Sequence, residues 1–136
     1  MSTFRIREAA SLLGVSDDTV RRWAEGGKVA TTTDASGRQS IDGTVLAEFA
    51  AELAASSDRF EPRPVISESA RNRFLGLVTR VTRDTVMAQV EMQAGPHRIV
   101  SLMSREAADE LELEPGVLAV AAVKSTNVVV EIPDRR

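Results

Sequence analysis

The 136-residue chain has no cysteine, no tyrosine, one histidine and one tryptophan. Each shortage removes a class of chemistry. Without cysteine there is neither a disulfide framework nor a thiolate metal site, which fits the expectation of a cytoplasmic protein. His97 alone supplies neither a histidine cluster for a metal cation nor a conventional catalytic triad. No apolar run approaches the roughly 18 residues of a membrane span, and MSTFRIREAA lacks the apolar core of a secretory signal. A strong excess of one charge is missing too. The net charge is −3, with 7 basic against 9 acidic residues up to position 60 and 10 against 11 beyond it. Neither half is a general polyanion binder, so nucleic-acid binding would have to rest on local clustering.

What remains is a globular composition, 43% hydrophobic and 27% charged, on a length that allows one ordinary domain or two small ones. Two small domains would each be marginal alone, which makes oligomerisation an expectation. The pattern divides in two. Up to residue 55 the apolar positions recur at helical spacing: Ile6, Ala9, Ala10 and Leu13 form one stripe, ended by Gly14. Ser16, with Asp17 and Asp18, then has the character of a helix start, since a serine caps free N–H groups and acids suit the positive end of the helix dipole. Val20 and Trp23 share one face of that helix and leave Arg21 and Arg22 on another. KVATTTDASGRQSI is rich in β-branched residues around a DASG turn and predicts a hairpin. After Gly43, the residues Val45, Leu46, Phe49 and Leu53 predict a third helix.

This order, carried by REAASLLGVSDDTVRRWAEGGKV and the later GRQSI, resembles the winged helix-turn-helix of the MerR and excisionase-like DNA-binding family. The resemblance implies that Thr19, Arg21 and Arg22 face double-stranded operator DNA, that Lys28 and Arg38 touch phosphates from the wing, and that Trp23 packs the core. Asp17 and Asp18 oppose tight binding, because acids near phosphates repel.

Serines, mixed charges and the prolines Pro62 and Pro64 mark a linker over 56–66, so the expected domains are 1–55 and 67–133. Beyond it the period becomes two. Phe74 to Val81, Val86 to Met92, RIVSLM, LAVAAV and NVVVEI predict five strands, with a short helix, REAADEL, capped by Ser104. The expected fold class is therefore α+β in two domains, a small winged helix-turn-helix followed by a five-stranded OB-like β-barrel with one short helix.

Ser69-Ala70-Arg71-Asn72 before the first of these strands, Ser101 in the third, and Lys124-Ser125-Thr126 before the last resemble the small molybdate-binding domain known as molbindin, Mop or TOBE-type. The resemblance implies an oxyanion site of Ser69, Ala70, Arg71, Lys124 and Ser125, with Asn72 and Ser101 as further members, in which the first segment of one subunit faces the second segment of another. Hydroxyls, backbone N–H groups, an arginine and a lysine suit a tetrahedral dianion. Molybdate and tungstate are fully deprotonated and need only donors, whereas hydrogen phosphate carries an O–H that wants an acceptor.

The joint expectation is a molybdate- or tungstate-sensing DNA-binding regulator of uptake or cofactor genes. It has no organic cofactor and no metal-cation site, and it forms a homo-oligomer, a hexamer built as a trimer of dimers or else a dimer. No membrane partner is expected. The alternatives are a molybdate storage protein whose helical half only assembles it, and a DNA-architectural protein whose barrel only oligomerises. Enzyme activity is not expected, since no nucleophile, base and orienting group can be assembled. No G-x-x-x-x-G-K-[ST] stretch occurs, so the transport-ATPase role of some relatives is not read here.

Overall fold

A computed structural model describes residues 2–57 and 69–134, and the chain divides into two compact units, 1–59 and 60–136. Most of the linker predicted at 56–66 lies outside the described residues.

The first unit is built on three helices and a small sheet. Helix α1 (Ile6–Leu13) ends at Gly14, whose φ of 71° is the left-handed cap conformation that glycine adopts without steric cost. Helix α2 (Asp17–Glu25) starts as predicted, with the Thr19 N–H donating to Ser16 Oγ at 3.2 Å. Helix α3 (Gly43–Ala55) is capped by Asp42, which accepts from the N–H groups of Thr44 and Val45. Ile6, Ala9, Ala10, Val20, Val29, Ile41 and Leu46 are buried together, and Trp23 meets Phe49 edge to face at 5.3 Å between ring centres.

A third strand, outside the elements that the sequence predicts, joins the expected hairpin. Strand β1 (Thr3–Arg5) pairs with β3 (Gln39–Asp42), which also pairs with β2 (Thr32–Thr33), so the predicted hairpin supplies the central strand and one edge of a three-stranded sheet. Three residues are too few to show a period, which is why β1 was invisible. The intervening turn is organised by Asp34. Its Oδ1 accepts from Ser36 Oγ at 2.6 Å and from the N–H groups of Ser36 and Arg38.

In the second unit β4 (Asn72–Arg83), β5 (Met87–Ala94), β6 (His97–Ser104) and β7 (Leu118–Val123) form an antiparallel half-barrel sheet in the order β6-β5-β4-β7. Helix α4 (Arg105–Glu110) is capped by Ser104 as expected. Val78, Val90, Met92 and Leu113 form the core on one face. The β4-β5 turn is tied by Asp84, whose Oδ1 accepts from the Val86 and Met87 N–H groups at 2.7 Å each. Those two bonds, Met87 first, hold its carboxyl below the ordinary 3.8.

The five-stranded barrel needs correction. NVVVEI forms no strand in this chain: after a 3-10 turn over Ser125–Asn127, residues 128–132 run without a ladder, and Val129, Val130 and Ile132 are 80%, 84% and 89% exposed. β-branched side chains favour an extended backbone, but a strand also needs a neighbour to take its hydrogen bonds, and none is paired with this run among the described residues.

Candidate functional site

The expected oxyanion residues sit at one end of the β4-β7 ladder. The register runs from Leu77 opposite Leu118 to Asn72 opposite Val123, so the chain entering β4 and the chain leaving β7 lie side by side. Beyond that last rung Ala70 and Arg71 lead directly into β4, and Lys124 follows β7 directly before the chain turns at Ser125, so both segments border the same end of the ladder. Ser69, Arg71, Lys124 and Ser125 are exposed, while Ala70 and Asn72 are half-buried. Asn72 closes the last rung by donating from Nδ2 to the Val123 carbonyl at 3.3 Å. Lys124 is extended and caps the 3-10 turn, with the Asn127 N–H bonded to its carbonyl at 2.9 Å. The first N–H groups of such a turn have no partner inside it and remain available as donors.

The two segments were expected to meet across a subunit boundary. Within one chain they already share a sheet end, and both remain open to solvent. Ser101 is elsewhere: it stands opposite Val90, which stands opposite Val81, nine positions along β4 from Asn72. At a rise of about 3.3 Å per residue this is up to ~30 Å along the strand, and β6 is two strands away from β4. Ser101 faces the same side as Ile99 and Met103 and is exposed. It therefore does not join the other residues within a single chain. Chemically the cluster offers hydroxyls, a carboxamide, a guanidinium and an ammonium, a donor set that fits a fully deprotonated tetrahedral dianion.

The expected DNA residues are spread over α2 and the wing. Thr19 is half-buried, and Arg21, Arg22, Lys28 and Arg38 are exposed. Each helix arginine has a partner three residues back: Arg21 Nη1 donates to Asp18 Oδ1 at 3.1 Å, and Arg22 Nη2 to Thr19 Oγ1 at 3.3 Å. Thr19 Oγ1 also lies 2.9 Å from Ser16 Oγ. The Lys28 backbone closes α2 by donating to the Trp23 carbonyl, and the Arg38 backbone closes the Asp34 turn. Sequence reasoning flagged Asp18 as an opposing charge, but not as the partner of Arg21. The i, i+3 spacing carried that signal.

Among the described residues no group of three or more acidic or histidine side chains could hold a metal ion, and no helix is long and apolar enough to cross a membrane.

Comparison with known proteins adds the following. Residues 68–130 match the family model described as the TOBE domain. Molybdenum-pterin-binding protein 2 of Clostridium pasteurianum is 36% identical over 66 residues, which is 48% of this chain and 97% of that protein. Molybdenum transport protein ModE of Herbaspirillum seropedicae is 38% identical over 68 residues, 49% of this chain, so the chain spans 25% of that protein's length. Among solved structures, a molybdate-binding protein from Sporomusa ovata matches at 28% identity with a TM-score of 0.48, covering 49% of this chain and all of that one. ModG, a cytoplasmic molybdate-binding protein solved with molybdate bound, matches at 35% identity with a TM-score of 0.47, covering 49% of this chain and 48% of that one. These relatives are named for binding and transport and not for an enzymatic reaction.

Proposed function

The chain belongs to the TOBE-domain family through residues 68–130, and from that premise we propose that it binds molybdate or tungstate and reports the ligand to DNA as a transcriptional regulator. The observation that carries the ligand half is the β4-β7 register, which supports a single donor cluster of Ser69, Ala70, Arg71, Asn72, Lys124 and Ser125. The DNA half is supported by the order α1, tight turn, α2, hairpin, α3, read as a winged helix-turn-helix over 1–55 that presents Thr19, Arg21, Arg22, Lys28 and Arg38. The unit 67–133 holds the oxyanion, and the two are joined over 56–66.

Assembly follows from the free run at 128–132. Three β-branched side chains exposed by 80% or more need cover, and a second copy offers the outer edges of β6 and β7. The protein is then a homo-oligomer, a trimer of dimers or a dimer, with each oxyanion site closed by a neighbouring subunit.

One observation favours a second reading. The clostridial relatives, named as molybdenum-pterin-binding proteins, are covered over 97% of their length by 48% of this chain, so a protein about the size of one unit carries that name without a second unit. In that case the protein stores or buffers molybdate. One titration separates them: the affinity for a labelled promoter fragment from upstream of molybdate-uptake or cofactor genes, with molybdate and with sulfate as control. The regulator reading expects coupling of about 1–3 kcal/mol and, by linkage, an equal change in molybdate affinity when DNA is added. DNA affinity that is equal at zero and saturating molybdate leaves only the storage or architectural readings.

A further inference from the structure

We propose that the outward face of the β1-β3-β2 sheet is a further phosphate-contacting surface for duplex DNA, with Arg5 as its guanidinium and Ser40 and Thr32 as its hydroxyl donors. The inference rests on the DNA-binding reading above and deepens it. Direct partners in an antiparallel ladder point to the same side of a sheet, and here the registers place Arg5 opposite Ser40 and Ser40 opposite Thr32. One row of side chains therefore crosses all three strands. The alternate row, Phe4 opposite Ile41, goes to the core, where Ile41 is fully buried. Thr32 Oγ1 and Ser40 Oγ lie 3.2 Å apart, so one hydroxyl proton is used between them and the other is left for an outside acceptor.

The charges on this face are arranged for that use. Asp42 shares it by strand alternation and Asp34 follows β2 in the turn, but each commits Oδ1 to backbone N–H groups: Asp34 to its turn, Asp42 to the start of α3. Arg5 lies near enough to Asp34 to help hold that carboxyl below its ordinary value, after the larger effects of the Ser36 hydroxyl and the Arg38 N–H. Even so, among the described residues neither Arg5 nor Arg38 is in an ion pair, whereas Arg21, Arg83, Arg98 and Arg105 all are. Arg5 and Arg38 stand against Asp34, Asp42 and, beside Arg5, Glu8, whose Oε1 accepts from the Arg5 N–H at 3.2 Å, so the surroundings carry no excess of positive charge. The face therefore supplies directed donors and not a general attraction, which is the property that fixes the position of a protein on a phosphate backbone.

The test uses the full chain and a short fluorescein-labelled duplex of mixed sequence, titrated at several salt concentrations. Arg5→Gln should weaken binding about three- to tenfold and lower the slope of log affinity against log salt by about one, while Arg5→Lys keeps the slope. Ser40→Ala should weaken binding without changing the slope. Arg7→Gln, on α1 and not on the sheet, should change neither. If Arg5→Gln binds and titrates like wild type while the Arg21→Ala, Arg22→Ala double variant loses binding, this face is excluded and the regulator reading stands. A lower affinity with an unchanged slope also overturns the proposal, because the effect is then structural. A wild-type protein that binds no duplex removes both.

Discussion

Asn72 and Val123 form the last rung of the β4-β7 ladder, and the Asn72 carboxamide locks it by donating to the Val123 carbonyl at 3.3 Å. Arg71 and Lys124, the two cations of the proposed oxyanion site, flank that rung in sequence, one just before β4 and the other just after β7. Lys124 is exposed in the single chain, so its contribution depends on what covers it. Lys124→Ala should cost on the order of 2–5 kcal/mol of molybdate affinity if a neighbouring subunit dries the site, but under about 1 kcal/mol if the site stays open to water. Calorimetry on the assembled protein distinguishes the two, and the larger loss is expected. An unchanged affinity would remove Lys124 from the site.

The exposed run at 128–132 predicts an assembly defect. Val130 is 84% exposed, so Val130→Asp removes little packing within the chain, yet under the proposed pairing with a second copy the new charge is buried unpaired. Light scattering should show a smaller species, with the melting temperature of the first unit unaffected. An oligomer that persists unchanged would show that these residues are not the seam.

Much of this was legible in the sequence because it depends on local chemistry. Ser16 and Ser104 mark helix starts through the hydrogen bonds of their hydroxyls, Gly14 marks a helix end because without a Cβ it takes a positive φ, and the structure keeps all three. The strand-forming runs LAVAAV and RIVSLM likewise became β7 and β6. Pairing is what local chemistry does not encode. Thr3–Arg5 is a strand only because β3 lies beside it, and NVVVEI, with better strand composition, is not one because among the described residues no strand pairs with it. Ser101 was grouped with the oxyanion residues by its resemblance alone, and register then set it nine positions from Asn72 along the strand direction.

Register also explains Gly76. A Cβ there would lie 2.4 Å from the Gln93 carbonyl oxygen and 3.0 Å from the Ala94 Cα, both backbone atoms of β5. Neither can swing aside as a side chain would. Gly76→Ala should therefore force β4 and β5 apart and destabilise the second unit by roughly 1–3 kcal/mol. The measurement is the denaturant midpoint of that unit, and a midpoint equal to wild type would mean that the strands separate there at no cost.

The final prediction concerns Asp18. Its carboxylate holds Arg21 Nη1 at 3.1 Å, and its own side chain is 89% exposed, so the pair is a surface contact worth about 0.3–0.5 kcal/mol. On the proposed DNA face this carboxylate has two further effects: it repels phosphates, and it neutralises a guanidinium that would otherwise meet one. Against that, it favours the positive end of α2, so removing its charge should cost about 0.3–1 kcal/mol of helix stability. Asp18→Asn keeps the shape, frees Arg21 and removes the repulsion. DNA affinity should rise about two- to fivefold, the salt slope should steepen, and the melting temperature of the first unit should fall slightly. The variant Asp18→Asn, Arg21→Ala should lose the gain, since the freed guanidinium is its main source. If Asp18→Asn binds no tighter than wild type at low salt, Arg21 does not face DNA, and the recognition surface lies on another side of α2.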